Sequence, residues 1–380
     1  MSIKQKQSVG MVVADINFFF SHRFGLVKKL SENYQILVIS DLRNINESEL
    51  AKHSFIQFIH LKSRAKKNKF INMLSTIRYI VELAIVIKSN RINNAFFITL
   101  ESSMIGAIAS KYLNIKKYYV ISGAYVLKEN KKIKSVASKI FSYFKSESDK
   151  FIFQNNEDKS LFEKMLGKTN NFFVIKGNGI DLNSIKFELI GSIERIKFLF
   201  AGNLFYTKGV IEYFDAAKAL ENSGVNADFY IAGQYIENHP LSIKKDLYKN
   251  IADSPSVKFL GAWDKKTFLK NVYDYHVFVL PSFGEGMPLA VMEAMASGRA
   301  LICSRVPGCN SCIIEGKNGY FCQVSSSSSL RKSMQKIINN KELIPSMSNY
   351  SRKLVEKDLS LDTIFKQYLE AIQTNHLIKY

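Results

Sequence analysis

Short apolar runs of strand type alternate with stretches of helical periodicity along the whole chain, and that alternation leaves few folds open. In the first half the candidate strands are Val9–Val13, Tyr34–Ser40, Phe55–His60, Ala95–Leu100, Tyr118–Ile121, Lys150–Phe153 and Asn171–Ile175. Helical stretches between them include Arg23–Ser31, Phe70–Ser89, Met104–Leu113 and Asn156–Leu166. The pattern restarts at Ile196–Phe200 and continues through Asp228–Ala232, Val257–Leu260, His276–Leu280, Ala300–Cys303 and Gly319–Gln323. Strands separated by helices pair in parallel and are covered on both faces, so two doubly wound α/β domains are expected. The 380 residues suffice for two full cores. We place the first domain at 1–182, a linker at 183–195 and the second domain at 196–360, with a C-terminal helix in 361–380 that could pack back on the first domain.

Charge is unevenly shared. The formal net charge is +20, with 30 Lys+Arg against 15 Asp+Glu in residues 1–190 and 23 against 18 in 191–380. A basic first half suits an acidic partner, and the anionic face of a membrane fits better than nucleic acid, because no reading motif and no aromatic residues interleave with the lysines. No run of about 18 apolar residues is present, so a spanning helix is not expected. Val9–Val13 is short and runs into Asp15, as a first core strand would and a signal peptide would not. The cysteines are Cys303, Cys309, Cys312 and Cys322. Cys309 and Cys312 have metal-pair spacing but no second pair nearby, so reduced thiols in a cytoplasmic protein are expected, and no metal.

Two stretches of the basic half could lie in a lipid headgroup plane. From Lys131 to Phe144 the apolar set Ile133, Val136, Ala137, Ile140, Phe141 and Phe144 keeps helical spacing, flanked by Lys131, Lys132, Lys134, Lys139 and Lys145. Such a stripe is more often core than membrane. The cluster Lys62, Arg64, Lys66, Lys67 and Lys69, feeding the apolar helix from Phe70, is the second.

The chemistry concentrates in Pro281-Ser282-Phe283-Gly284-Glu285-Gly286-Met287-Pro288-Leu289-Ala290-Val291-Met292-Glu293-Ala294-Met295-Ala296-Ser297-Gly298. It reads as strand, tight loop and helix, with Pro288 suited to the first helical position and Gly298 to the stop. Free amides and the positive dipole end at the helix mouth favour a bound anion, most simply a phosphate. Glu293 lies about eight residues, or roughly 12 Å of helix rise, beyond Glu285. Two carboxylates held apart beside an anion site could grip hydroxyls at both ends of one elongated ligand. Taken singly, each Glu could equally complement a dipole or face solvent, but Glu293 sits among Val291, Met292, Ala294 and Met295, where an unpaired carboxylate is costly.

The segment from Glu285 to Glu293, with Gly286-Met287-Pro288-Leu289 inside it, resembles the donor-site motif of the retaining glycosyltransferases of family 4, among them bacterial O-antigen and capsule enzymes. Phe200-Ala201-Gly202-Asn203-Leu204-Phe205-Tyr206-Thr207-Lys208-Gly209 resembles the strand, loop and helix that open that family's donor domain. Asn178-Gly179-Ile180-Asp181 resembles its interdomain segment and Phe20-Ser21-His22-Arg23 a first-domain loop. The resemblance implies a GT-B fold, two Rossmann-like domains facing across a cleft, and transfer from a nucleotide-diphosphate sugar, UDP favoured, with retention and without metal or cofactor. Glu285 would touch hydroxyls of the donor sugar, Glu293 the ribose, the amides at Gly286, Met287 and Leu289, past Pro288, the sugar and phosphates, and Lys208 the departing diphosphate. Gly202, Asn203 and Gly233 would line the donor site, with Trp263 either near the base or simply packed. His22, Arg23 and Ser122 are the acceptor-side candidates. Two departures stand out: Asn203 replaces the usual Arg of the phosphate grip, and Ser122 falls where a first-domain His is common. The implied acceptor is a lipid-diphosphate-linked saccharide at the cytoplasmic face of a bacterial plasma membrane. A nucleotide-sugar epimerase and a catalytically silent assembly scaffold are the alternatives.

Overall fold

The computed structural model describes residues 6–43, 45–62, 69–124 and 126–373. The described residues divide into two compact units, one formed by those up to 179 together with 364–373 and the other by 180–363. In the first, β1 (Ser8–Val13), α1 (Ile16–His22), α2 (Phe24–Leu30), β2 (Gln35–Ser40), α3 (Glu47–Ala51) and β3 (Ile56–His60) lead to the long α4 (Lys69–Ser89). Then come β4 (Asn94–Ile98), α5 (Leu100–Ala109), β5 (Lys116–Ile121), α6 (Val126–Glu129), α7 (Lys131–Phe144), β6 (Lys150–Phe153), α8 (Asn156–Leu166) and β7 (Phe172–Val174). The second unit contains β8 (Ile196–Ala201), α9 (Val210–Glu221), β9 (Ala227–Ala232), α10 (Lys245–Ala252), β10 (Lys258–Phe259), α11 (Lys265–Asn271) and β11 (Val277–Leu280). It continues with α12 (Leu289–Ala296), β12 (Ala300–Ser304), α13 (Pro307–Asn310), β13 (Gly319–Cys322), α14 (Ser327–Asn339) and α15 (Ile344–Leu354) before α16 (Leu361–Gln373).

Both sheets are parallel, with strand order β3-β2-β1-β4-β5-β6-β7 in the first and β10-β9-β8-β11-β12-β13 in the second. The central strands are buried at nearly every position, which is why they read as continuous apolar runs and not as an alternation. In each sheet the order reverses beside the first strand, between β1 and β4 and between β8 and β11. A crevice outside the carboxyl ends of the strands at such a reversal is where ligands bind in open α/β sheets.

Several expectations shift on inspection. Phe20, Ser21 and His22, which resemble part of a loop, lie in the helix α1, whose amide at Asn17 is capped by the Asp15 carboxylate at 2.8 Å. The helix expected over Met104–Leu113 starts four residues earlier, because the Thr99 hydroxyl caps it and ends β4. The stretch 183–195 is part of the second unit, with Ile185 and Ile190 buried in its core. Residues 364–373 of α16 pack within the first unit: Tyr118 Oη donates to the Ile372 carbonyl at 3.3 Å and Lys150 Nζ to that of Ala371 at 2.6 Å. Finally, the apolar stripe of α7 belongs to the core. Ala137 and Phe141 are buried, and Ile133, Ile140 and Phe144 pack against them, so of this stripe only Val136 remains exposed.

Candidate active site

The loop after β8 and the loop after β11 meet at the order reversal of the second sheet. Gly202 leaves β8 with its amide donating to the Ala232 carbonyl at 3.0 Å, and Leu204 N donates to the Gln234 carbonyl at 2.9 Å. A single 3-10 turn, Tyr206–Lys208, then aims Lys208 back over the sheet. Gly209 closes that turn with φ +75°, and a Cβ there would sit 2.1 Å from the Pro281 carbonyl oxygen, so only glycine allows the two loops to lie this close. The Phe283 amide donates to the Thr207 carbonyl at 2.8 Å and locks the same contact from the other side. Gly233 is close to Gly202, whose carbonyl oxygen a Cβ would meet at 2.3 Å. Asn203 is exposed on the same loop.

Across this junction Lys208 Nζ lies 2.7 Å from Glu285 Oε1. The two residues expected to handle the leaving group and the donor sugar are thus an ion pair, one-third exposed at the lysine and largely covered at the carboxylate. Beyond Glu285, Met287 is buried with its Sδ 3.7 Å from Cys312 Sγ. Pro288 is the cap residue of α12 and not its first turn. Only the last part of the interval from Glu285 to Glu293 is therefore helical, so the helix rise expected from spacing does not set the separation of the two carboxylates. The amides of Leu289, Ala290 and Val291 have no carbonyl inside the helix to accept them, and no side chain caps them. That open N-terminus, beside a lysine, is suited to a phosphate.

Glu293 is 4 % exposed on α12 among Val291, Met292, Ala294 and Met295. Burial pushes its carboxyl above the ordinary value of 4.5, and Lys265 Nζ, 2.9 Å from Oε1, pulls it back only in part. A buried carboxylate facing a lysine can accept hydroxyl hydrogen bonds from a ligand. Trp263 packs on Tyr275, ring centroids 6.1 Å apart, at the edge of the core.

The acceptor-side candidates lie in the first unit and are less uniform. His22 ends α1, stacked on Phe18 at 4.5 Å, with Nδ1 2.7 Å from Ser21 Oγ. Arg23 is 1 % exposed, and its Nη1 donates to Tyr368 Oη at 2.9 Å, so it anchors α16 and does not offer its guanidinium to a solvent-side ligand. Ser122 is partly buried just past the end of β5. A residue not expected from sequence, Thr99, lies at the carboxyl end of β4 with φ +90°. A β-branched residue in that region is strained, and it stands at the order reversal of its sheet, where it caps α5.

Two further residues complete the donor side. Lys265 reaches Glu293 from the first turn of α11, whose cap is Asp264. Gly308 N donates to the Glu285 carbonyl at 3.1 Å, and a Cβ on Gly308 would meet that oxygen and the Gly286 carbonyl oxygen at 2.6 Å. Neither was signalled by the chain, because each contacts its partner only through the fold. Gly308→Ala should push the Glu285 backbone out of place and lower kcat/KM for the donor by about 10–100-fold, with a small change in Tm. Steady-state kinetics beside a thermal melt test this, and unchanged donor kinetics would show that the loop tolerates the displacement.

Residues 183–354 match the family described as glycosyl transferases group 1. The chain is 27% identical over 301 residues to an N,N'-diacetylbacillosaminyl-diphospho-undecaprenol alpha-1,3-N-acetylgalactosaminyltransferase of Campylobacter jejuni, covering 74% of this chain and 76% of that one. It is 23% identical over 325 residues to a UDP-Gal:alpha-D-GlcNAc-diphosphoundecaprenol alpha-1,3-galactosyltransferase of Escherichia coli, covering 77% and 81%. Among solved structures, sucrose-phosphate synthase from Thermosynechococcus elongatus has a TM-score of 0.79 at 14% identity over 97% of this chain and 98% of its own. Anabaena HepE in complex with UDP and glucose has 0.76 at 15% identity, over 96% and 99%. The fold is thus that of these two-domain α/β proteins, and the second unit is the part of the chain that matches the group 1 glycosyl transferases.

Proposed function

We propose that this glycosyltransferase moves a sugar, with retention, from a nucleotide-diphosphate sugar to a saccharide carried on a lipid diphosphate, in assembly of a bacterial surface polysaccharide. The observation that carries the reading is the Lys208–Glu285 pair set beside the uncapped N-terminus of α12, with the buried Glu293 farther along that helix. The diphosphate lies between Lys208 and the amides of α12, which stabilise the charge that develops as the anomeric bond breaks. Donor binding separates the ion pair: Lys208 turns to the phosphates and Glu285 to hydroxyls of the transferred sugar. Glu293 takes the ribose. The leaving phosphate itself receives the acceptor proton on the same face of the sugar, which gives retention. UDP is the favoured nucleotide, supported by the UDP bound in a structure of like fold and by the UDP-sugar donor named for one relative. The undecaprenol-diphosphate acceptors named for two relatives support a lipid-linked acceptor, and the basic first half supports work at an anionic membrane surface. Among the described residues no helix is long and apolar enough to cross a membrane, so that association would be peripheral.

Thermal-shift and calorimetric titrations with UDP-, GDP-, dTDP- and ADP-sugars, alongside Glu293→Ala, test the donor reading. Selective stabilisation by a UDP-sugar that the variant loses is the expected result. A well-folded protein that binds none of them would instead be a scaffold.

A further inference from the structure

The outer face of α4 is apolar where a surface helix should be polar. Met73, Leu74, Ile77, Val81 and Ile85 are 49–60% exposed. At 3.6 residues per turn these five fall within an arc of about 120°, along about 18 Å of helix. The adjoining side is already used: Leu83 and Ile87 are buried in the first unit's core, with Tyr79, Ile80 and Val86 packed beside them and Ala84 at the border between core and strip. A helix that is apolar on both its core side and its outer side is ordinarily covered on both, and a bare strip of this size marks an interaction surface.

Charge identifies what covers it. Residues 51–100 carry nine Lys+Arg and a single acidic residue, Glu82. Glu82 is engaged by Arg78 at 2.6 Å on the flank of the strip. Lys62 is exposed before the helix, and Lys88 and Arg91 are exposed at its far end. The intervening Arg64, Lys66 and Lys67 lie outside the described residues. A strip of apolar side chains framed by cations at both ends suits the boundary between anionic headgroups and acyl chains. A second copy of the chain would bring the same positive charge against itself.

We infer that the face of α4 carrying Met73, Leu74, Ile77, Val81 and Ile85 is the surface by which this protein lies on an anionic lipid bilayer. The inference rests on the proposal that the acceptor is lipid-carried, but it assigns the contact to α4, because α7 turns all of its stripe but Val136 to the core. Co-sedimentation with vesicles of phosphatidylcholine containing one third phosphatidylglycerol tests it, with no donor or acceptor present. The wild type should pellet with these vesicles and not with phosphatidylcholine alone. The triple variant Ile77→Ser, Val81→Ser, Ile85→Ser should bind about tenfold less or weaker still, with an unchanged thermal midpoint because the three side chains are already half exposed. The variant Lys131→Glu, Lys132→Glu, Lys134→Glu on α7 should lose much less. Wild-type protein that stays in the supernatant, or a triple variant that pellets as the wild type does, overturns the inference. A triple variant that turns a dimer into a monomer in analytical ultracentrifugation, with vesicle binding unaltered, overturns it in favour of a second copy. Nucleotide binding by the triple variant should match the wild type, so failure on vesicles and failure of the donor reading are read separately.

Discussion

Lys208→Ala should lower kcat by about 10²–10³-fold, the loss that follows removal of one preorganised donor to developing charge. Lys208 is the cation on the turn between β8 and α9, where Asn203 stands in place of the second positive charge common in this family. In the proposed mechanism the departing diphosphate therefore has one side chain and the amides of α12 to receive it. The fold should tolerate the change, because Lys208 is one-third exposed and its pairing with Glu285 is near the surface. Single-turnover kinetics at saturating donor isolate the chemical step, with calorimetry reporting donor affinity separately. A kcat within threefold of wild type would mean that another group supports the leaving phosphate.

The second large effect has opposite signs on stability and on binding. Glu293 is raised above its ordinary 4.5 by burial. The fold therefore has its full benefit from this group below that value, where the carboxyl is neutral in both states. As pH rises, the unfolded chain ionises Glu293 more readily than the folded protein does, and stability is lost until the raised folded value has been passed. Glu293→Gln removes that loss. Its Tm should exceed wild type at pH 7 and converge with it below the ordinary carboxylate range. Donor affinity should fall by about 10–100-fold, because a charged acceptor on the ribose is replaced by a neutral one. Melting curves across pH and isothermal titration with the donor test the two halves. A Gln variant less stable than wild type at every pH would show that the Lys265 pairing outweighs the burial cost.

Much of the fold was legible because the strands are buried on both faces and bounded by turn residues. Lys150–Phe153 and Asn156–Leu166 match the sequence reading residue for residue. The misses have local causes. Phe18, Phe19 and Phe20 form an aromatic run with no helical period, so α1 carries no helical signature although Asp15 is there to cap it. Thr99 breaks β4 by a backbone conformation that sequence does not reveal. At the site, Glu285, Glu293 and Lys208 were readable because their neighbours fix a strand-loop-helix. The contacts they make were not, since Lys265 and Gly308 reach them from α11 and α13, elements distant in sequence. Periodicity also cannot tell core from lipid: α7 displays the cleaner stripe and buries it, while α4 leaves its own exposed.

The place of α16 bears on how the chain is made. The first unit's sheet is complete in sequence by β7, but Phe96, Tyr118, Arg23 and Lys150 meet their partners on α16 only after Ile180–Thr363 has been synthesised. At 5–20 residues per second that interval is roughly 10–40 s on the ribosome. During it one face of a nascent domain, with aromatic rings and two cations that are later buried, has no cover. This is the stage at which the chain is most open to chaperones and to aggregation, and a faster second half would shorten it.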